Sequence, residues 1–219
     1  IRKLIMKITD INSKFSKEKH IDSELKEIEA RCRDEHIPLI DRDAADFLRL
    51  QLKIARPKRI LELGTAYGFS TLLLAKNSPR ETKITTVEID PLRAAEARKN
   101  FAAFNFEDKI ELKIGDAFDV LMYLQADYDF IFLDAAKGQY FYLFEYIMEL
   151  LAPGGILIAD NVLYKGKVLE KNEPRHKIRT MVNNLKKYLK LVMNHPELDS
   201  TIITAGDGIA LSRRKDRDG

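Results

Sequence analysis

Apolar positions along the chain change their period near residue 57. Before it, Leu4, Ile8, Ile11 and Phe15, then Ile21, Leu25 and Ile28, recur near helical spacing and predict helix across 1–36. Pro38 interrupts. Asp41 is placed to cap a second helix with Ala44, Ala45, Leu48, Leu52 and Ala55 on its inner face, and Pro57 ends it. Short apolar runs then take over. Strands are predicted at Arg59–Leu63, Lys83–Ile89, Lys109–Ile114, Tyr128–Leu133 and Ile156–Ala159. Helices are predicted between and after them at 68–76, 91–104, 117–124, 139–151 and 174–191, with "PGG" as a turn before the fifth strand. Ser200–Thr204 and Gly208–Ser212 flank "AGDG" as a closing hairpin.

Apolar strands alternating with helices predict an α/β fold, a parallel sheet covered on both faces. The hairpin brings the sheet to seven strands, mostly parallel, with one antiparallel C-terminal strand. Residues 1–56 are then an N-terminal helical extension lying on the sheet and 57–219 the main body, together one structural domain. No apolar run approaches the roughly 20 residues that span a bilayer, so no membrane partner is expected. The first ten residues set Arg2, Lys3, Lys7 and Asp10 among apolar positions, unlike a secretory leader. Cys32 is the only cysteine, which excludes an internal disulfide and a cysteine-based zinc site and makes a reducing cytoplasm the expected compartment.

Net charge is +3 but unevenly placed: residues 171–190 hold seven Lys/Arg against the single acid Glu173. As a helix, this segment puts Ile178, Met181, Val182, Leu185, Tyr188 and Leu189 on one face. Arg175, Arg179, Lys186, Lys187 and Lys190 gather on a flank beyond it. Two readings stand, a ridge for a polyanionic partner and a solvated helix face.

In open sheets of this kind ligands bind beyond the carboxyl ends of the strands, near the point where strand order reverses. The first strand runs into "LELGTAYGFST", where Gly64 and Gly68 bracket a tight turn that lets backbone approach a ligand. The spacing is not G-x-G-x-x-G, which disfavours a dinucleotide. Glu62 suits a ligand carrying an amine or positive charge; its alternative is a partner for the helix start. Glu88 ends the second strand 24 positions beyond Gly64, placed to accept both hydroxyls of a ribose. Asp90 reads as the cap of the helix that starts at Pro91. After the third strand, Asp116 can accept from an adenine amino group while the Ala117 N–H meets a ring nitrogen, and Asp116 can also cap a helix. An amine site, a ribose site and an adenine site on three successive strands describe S-adenosylmethionine.

The fourth strand delivers "DAAKGQY", a carboxylate and an amine three residues apart. Together with "ILELGTAYGFST", "TTVEID", "GDA" and "ILIADNVL", it resembles the motifs of class I, metal-dependent O-methyltransferases of the catechol and caffeoyl-CoA type, across residues 38–213. The resemblance implies a Rossmann-like class I methyltransferase fold. Asp134 ends the fourth strand, and Asp160 and Asn161 end the fifth. Two carboxylates and an amide oxygen on adjacent strands form a hard oxygen set suited to Mg²⁺; the bland alternative is that Asp160 and Asn161 merely build a turn. The resemblance also sets Asp134 against the cofactor. It makes Lys137 the general base for the acceptor hydroxyl, with electrostatic stabilisation of the oxyanion as the alternative role. Tyr67 and Ser70 would line the methionine end and Ile40 would cover it. Tyr140 either lines the substrate mouth or packs within a helix. A homodimer is implied, with the N-terminal helices as a plausible interface.

Two departures bear on the acceptor. The caffeoyl-CoA branch carries "DADK" where this chain has "DAAK", and the catechol branch walls its pocket with a tryptophan that this chain lacks. Instead "DAAKGQY", "DNVLYKGKV", "PRHKIRTMVNNL" and "MNHPELDSTIITAGDGIALSRR" resemble the bacterial tRNA 5-hydroxyuridine methyltransferases. That implies a tRNA anticodon loop as partner and the wobble 5-hydroxyl as acceptor. The 5-hydroxyl and 4-carbonyl oxygens of that base are vicinal and can chelate one cation much as a catechol does. Lys165 and Lys167 would stand near the extruded base, with Arg175 and Arg179 on the phosphate-facing ridge. Arg213 and Arg214 either add charge or fray. A small catechol or flavonoid is the competing acceptor. A non-catalytic cofactor-binding regulator would be expected to have lost part of the oxygen set.

Overall fold

The computed structural model describes residues 23–125, 127–170 and 176–216. The helix expected over the first twenty-two residues, and Arg175 of the ridge, lie outside that range. A 3₁₀ turn at Ser23–Leu25 leads into α1 (Lys26–Asp34) and α2 (Arg42–Ala55). Then follow β1 (Arg59–Leu63), α3 (Phe69–Asn77), β2 (Lys83–Glu88), α4 (Pro91–Ala103), β3 (Ile110–Ile114), α5 (Ala117–Tyr123) and β4 (Tyr128–Leu133). A 3₁₀ turn at Lys137–Gln139 precedes α6 (Tyr140–Leu150) and β5 (Leu151–Ala159). After a further 3₁₀ turn at Lys167–Leu169 come α7 (His176–Asn194), β6 (Leu198–Ile203) and β7 (Ile209–Arg214).

The seven strands lie in the order β3-β2-β1-β4-β5-β7-β6. β1 to β5 pair in parallel, and β7 runs antiparallel to both β5 and β6. The one antiparallel strand expected from the hairpin is therefore β7. Order reverses between β1 and β4, so a crevice opens there beyond Leu63 and Leu133, which face each other in register.

Both sheet faces are buried. α5, α6 and α7 cover one, with Leu143, Phe144, Leu185 and Tyr188 packed on Ile131 and Leu133. α1 to α4 cover the other, with Leu48, Leu52, Leu72 and Phe101 packed on Ile60, Phe130 and Phe132. Every residue of Phe130–Leu133 is at most 1% exposed, each side chain contributing about 2 kcal/mol by leaving water. That explains why this strand reads as an unbroken apolar run.

Several boundaries differ from the sequence expectation. "PGG" does not turn into the fifth strand but lies inside it, since β5 already begins at Leu151. Gly154 is left-handed (φ 73°) and the β4–β5 register shifts between Tyr128 and Phe130, so the motif makes a bulge. α2 starts after Asp41, but the Asp41 carboxyl makes no capping bond, and Ala55 is exposed. Arg56, left-handed at φ 45°, ends the helix before Pro57. Arg214 does not fray: its guanidinium donates to the carbonyls of Met148 and Leu151 and pairs with Glu197. Asp90 caps α4 as expected, accepting from Leu92 and Arg93 with Pro91 in the first turn. Among the described residues no helix is long and apolar enough to cross a membrane.

Candidate active site

The crevice at the strand reversal holds a cavity of about 600 Å³, within the range that encloses a nucleoside-sized ligand. Gly64, Tyr67 and Ser70 line it from the β1 side, Glu88 from β2, Asp116 and Ala117 from β3, and Asp134 and Lys137 from β4, with Ile40 above. Nearly every residue expected to hold the cofactor thus meets one space.

Gly64 has φ 104°, and a β-carbon there would lie 2.3 Å from the Asp134 carbonyl oxygen. The close approach that requires glycine is to the neighbouring strand end, not only to a ligand. Glu88 is 5% exposed; one carboxylate oxygen accepts the Ala66 N–H at 2.7 Å and the other the Asp90 N–H at 3.0 Å. It therefore shapes the glycine turn while facing the cavity. Asp116 caps α5 through the Phe118 N–H at 2.9 Å and also lines the cavity, so both of its expected roles coexist. The Tyr67 hydroxyl donates to Glu35 beyond α1, and the Arg31 guanidinium lies over its ring at 5.4 Å.

Glu62 is not in the cavity wall. It is fully buried beneath the glycine turn. One oxygen accepts hydroxyls from Thr71 (2.5 Å) and Thr86 (2.7 Å), while the other has no partner. Thr86 lies 2.6 Å from Thr65, which does line the cavity. Burial pushes the Glu62 carboxyl up to about 7 against the opposing threonine bonds. Any influence of Glu62 on a ligand passes through hydroxyls that lie between them, Ser70 and the Thr86–Thr65 pair.

The strand ends carrying the oxygen set are tied together by backbone. The Asp134 N–H donates to Leu63 at 2.9 Å and the Asp160 N–H to Leu133 at 3.0 Å. Tyr140, fully buried, points its hydroxyl between the carbonyls of Leu133 and Asp160, 3.1 Å from each. It does not line the substrate mouth; it pins β4 to β5. Asn161 is left-handed at φ 57°, a conformation asparagine tolerates better than most residues. Asp160 is fully buried; one oxygen accepts the Asn161 N–H at 2.7 Å and the other has no partner. Burial pushes Asp160 up to about 7, reinforced by the charge of Asp134. Asp134 is pushed up to about 6 by burial, opposed by the Lys137 ammonium 3.6 Å from its carboxylate.

A buried Asp160 oxygen without a partner, near enough to Asp134 to feel its charge, is what a divalent cation would satisfy, and Asn161 follows in the chain with an amide oxygen to add. The residues present fit that ion. Among the described residues no three His, Cys, Asp or Glu side chains cluster as ligands, so the set depends on the Asn161 amide.

A second cavity of about 680 Å³ adjoins the first; Leu39 and Ile40 line both. Its wall includes Asn161, Lys165, Arg33, Arg42 and Asp207. Both Asp207 oxygens lie within 2.7 Å of the Lys165 backbone nitrogen, holding the left-handed turn Tyr164–Gly166 to the β6–β7 hairpin. Lys165 thus stands in the wall of the second cavity. Lys167 is outside this wall, and its ammonium pairs with Glu170 at 2.8 Å. Arg179 is exposed on α7 with Lys187 and Lys190. Asp207 and Tyr140 escaped sequence reading as structural anchors, because both act through contacts distant in sequence.

Residues 12–215 match the O-methyltransferase family model, and the chain belongs to that family. It is 33% identical over 175 residues to a catechol O-methyltransferase of Niastella koreensis, covering 76% of this chain and 77% of that one. It is 30% identical over 210 residues to caffeoyl-CoA O-methyltransferase 2 of Populus trichocarpa, covering 92% of this chain and 85% of the relative. Among solved structures, an O-methyltransferase from Bacillus cereus in complex with SAH superposes with a TM-score of 0.83 at 26% identity, covering 98% of this chain and all of that one.

Proposed function

We propose that the chain transfers a methyl group from S-adenosylmethionine to the 5-hydroxyl of 5-hydroxyuridine at the tRNA wobble position, giving 5-methoxyuridine, with Mg²⁺ held by Asp134, Asp160 and Asn161. One observation carries the chemistry: an unpaired buried Asp160 oxygen, the Asp134 carboxylate and the Lys137 side chain are grouped at paired strand ends. The cation supplies Lewis acidity that makes an adjacent hydroxyl easier to ionise. Lys137 takes the hydroxyl proton. The oxygen then forms its bond to the methyl carbon as the carbon–sulfur bond breaks, leaving a neutral thioether. A lysine accepts a proton only while neutral, so Lys137 acts as the free amine. Glu88 accepts from the ribose, Asp116 and Ala117 hold the adenine, and Ile40 closes the cavity. The SAH-bound Bacillus cereus relative supports the cofactor assignment.

The RNA acceptor is supported by Lys165 at the mouth of the second cavity, the exposed basic positions of α7 and the absence of tryptophan. A small catechol is the second reading, favoured by the names of the curated relatives. On the RNA reading the protein works in the cytoplasm, as a homodimer through its N-terminal helices.

The test is methyl transfer from labelled S-adenosylmethionine to tRNA bearing 5-hydroxyuridine and, in parallel, to 3,4-dihydroxybenzoate, with and without chelator. Transfer to the tRNA, abolished by EDTA and by Asp160→Ala, is expected. tRNA affinity should fall steeply with salt, and Arg179→Ala should lower the slope of log affinity against log salt by about one. Methylation of the catechol alone with salt-insensitive tRNA binding refutes the acceptor assignment. Transfer that survives chelation refutes the metal.

A further inference from the structure

α7 has two working faces. Its outer face carries the exposed Arg179, Lys187 and Lys190. Its inner face is apolar except at Asn184, which is 6% exposed among Val182, Leu185 and Tyr188. Burying an amide in that setting costs free energy unless it is bonded. The Asn184 side-chain amide donates to the Gly138 carbonyl at 2.9 Å. Gly138 is the middle residue of the 3₁₀ turn Lys137–Gln139, so this bond holds the turn that carries the base. Met181, one helical turn earlier, lies beside Gly138 (a β-carbon there would be 3.9 Å from it) and lines the cofactor cavity. Tyr188, one turn later, packs edge-on against Tyr140 with ring centres 5.5 Å apart, and Tyr140 pins the ends of β4 and β5. Three inner-face positions on successive turns of one helix therefore grip the segment bearing Lys137 and the strand ends bearing the oxygen set.

We propose that Asn184 is a positioning residue for Lys137: its amide fixes the Gly138 peptide, and so the direction in which the Lys137 side chain leaves the turn. Because the same helix presents the basic outer face, acceptor docking and base placement share one rigid element. This extension to docking rests on the RNA reading above, whereas the bond to Gly138 does not.

Asn184→Leu keeps the branched shape and the number of side-chain heavy atoms and removes the donor. With the acceptor that the wild type methylates, kcat should fall roughly tenfold while acceptor KM and the SAH dissociation constant stay within twofold. Asn184→Gln, which retains a donor, should recover much of the loss. In Lys137→Ala, adding Asn184→Leu should cause no further loss, because the residue acts through the lysine. A readout free of turnover uses protein labelled with carbon-13 at the lysine ε position. The resonance missing in Lys137→Ala should move in Asn184→Leu toward the exposed-lysine position and return in Asn184→Gln. Additive losses in the double variant, an equal loss of SAH affinity, or an unmoved Lys137 resonance would each overturn the proposal. A moved resonance in a protein inert toward 5-hydroxyuridine tRNA upholds the role of Asn184 and sinks the RNA reading alone.

Discussion

Replacing Glu62 by glutamine should make the protein more stable in alkaline solution than in acid, relative to wild type. The carboxyl is fully buried, bonded through one oxygen to two threonine hydroxyls and unpartnered at the other. Burial moves its ionisation from an ordinary 4.5 to about 7. Between those values the folded chain keeps the proton while the unfolded chain has lost it. Stability therefore falls as pH rises through this window, and the full penalty is present above about pH 7. The displacement corresponds to roughly 3 kcal/mol. Asp134 and Asp160 also titrate there in both proteins, and the Asp134 charge is the smallest of the influences on Glu62, so the difference between the two is dominated by Glu62. Urea unfolding followed by circular dichroism, in EDTA and without cofactor, should show the stability of Glu62→Gln relative to wild type rising by about 2.5 kcal/mol between pH 5 and pH 8. A difference that stays constant to within about 1 kcal/mol would mean that the carboxyl ionises as it does in water. The sealed environment beneath the glycine turn would then be wrong. A group that costs stability at working pH is expected where function, not folding, retains it.

Gly64→Ala forces a β-carbon to 2.3 Å from the Asp134 carbonyl in a left-handed backbone; a loss of about 3 kcal/mol or more is expected in the urea midpoint, with SAH binding lost alongside. Tyr140→Phe removes the hydroxyl between the Leu133 and Asp160 carbonyls and should cost about 1–3 kcal/mol, with Mn²⁺ affinity, read by electron paramagnetic resonance, falling too. Glu88→Gln replaces an acceptor-only group that takes two backbone N–H bonds, so the SAH dissociation constant should rise roughly tenfold or more by calorimetry.

The centre of the sheet was legible because burial on both faces leaves apolar runs such as Phe130–Leu133, and the alternation with helices locates the more exposed strands such as Ile110–Ile114. The sites at strand ends were legible for the same reason: an acid that follows such a run is exposed to whatever fills the crevice. Glu88, Asp116 and Asp134 obey that rule and line the cavity, whereas Asp160 is sealed beneath it. Glu62 does not obey it, because it lies before Leu63, inside the buried run, where a carboxyl meets side chains and not ligand. Its partners Thr71 and Thr86 come from the next helix and the neighbouring strand, and only the register Glu62↔Thr86 brings the latter beside it. "PGG" misled for a related reason, since a bulge against β4 depends on pairing that local turn chemistry does not encode.

The second cavity was harder to read because its wall is built from segments that are not strand ends. Asp207 comes from the β6–β7 turn, Arg33 and Arg42 from the helical extension, and Lys165 from a left-handed loop, and they meet only in the folded chain. Asn184 is the instructive exception. Met181, Val182, Leu185, Tyr188 and Leu189 define an apolar arc, and position 184 falls within it, three residues after Met181 and four before Tyr188. A polar side chain inside an apolar arc must find a partner or destabilise the fold. Attention to the charged flank hid that signal, although the buried amide, and not the exposed lysines, is what joins α7 to the turn carrying Lys137. Along an amphipathic helix the residue that breaks the pattern is therefore a better pointer to the reacting centre than the residues that fulfil it.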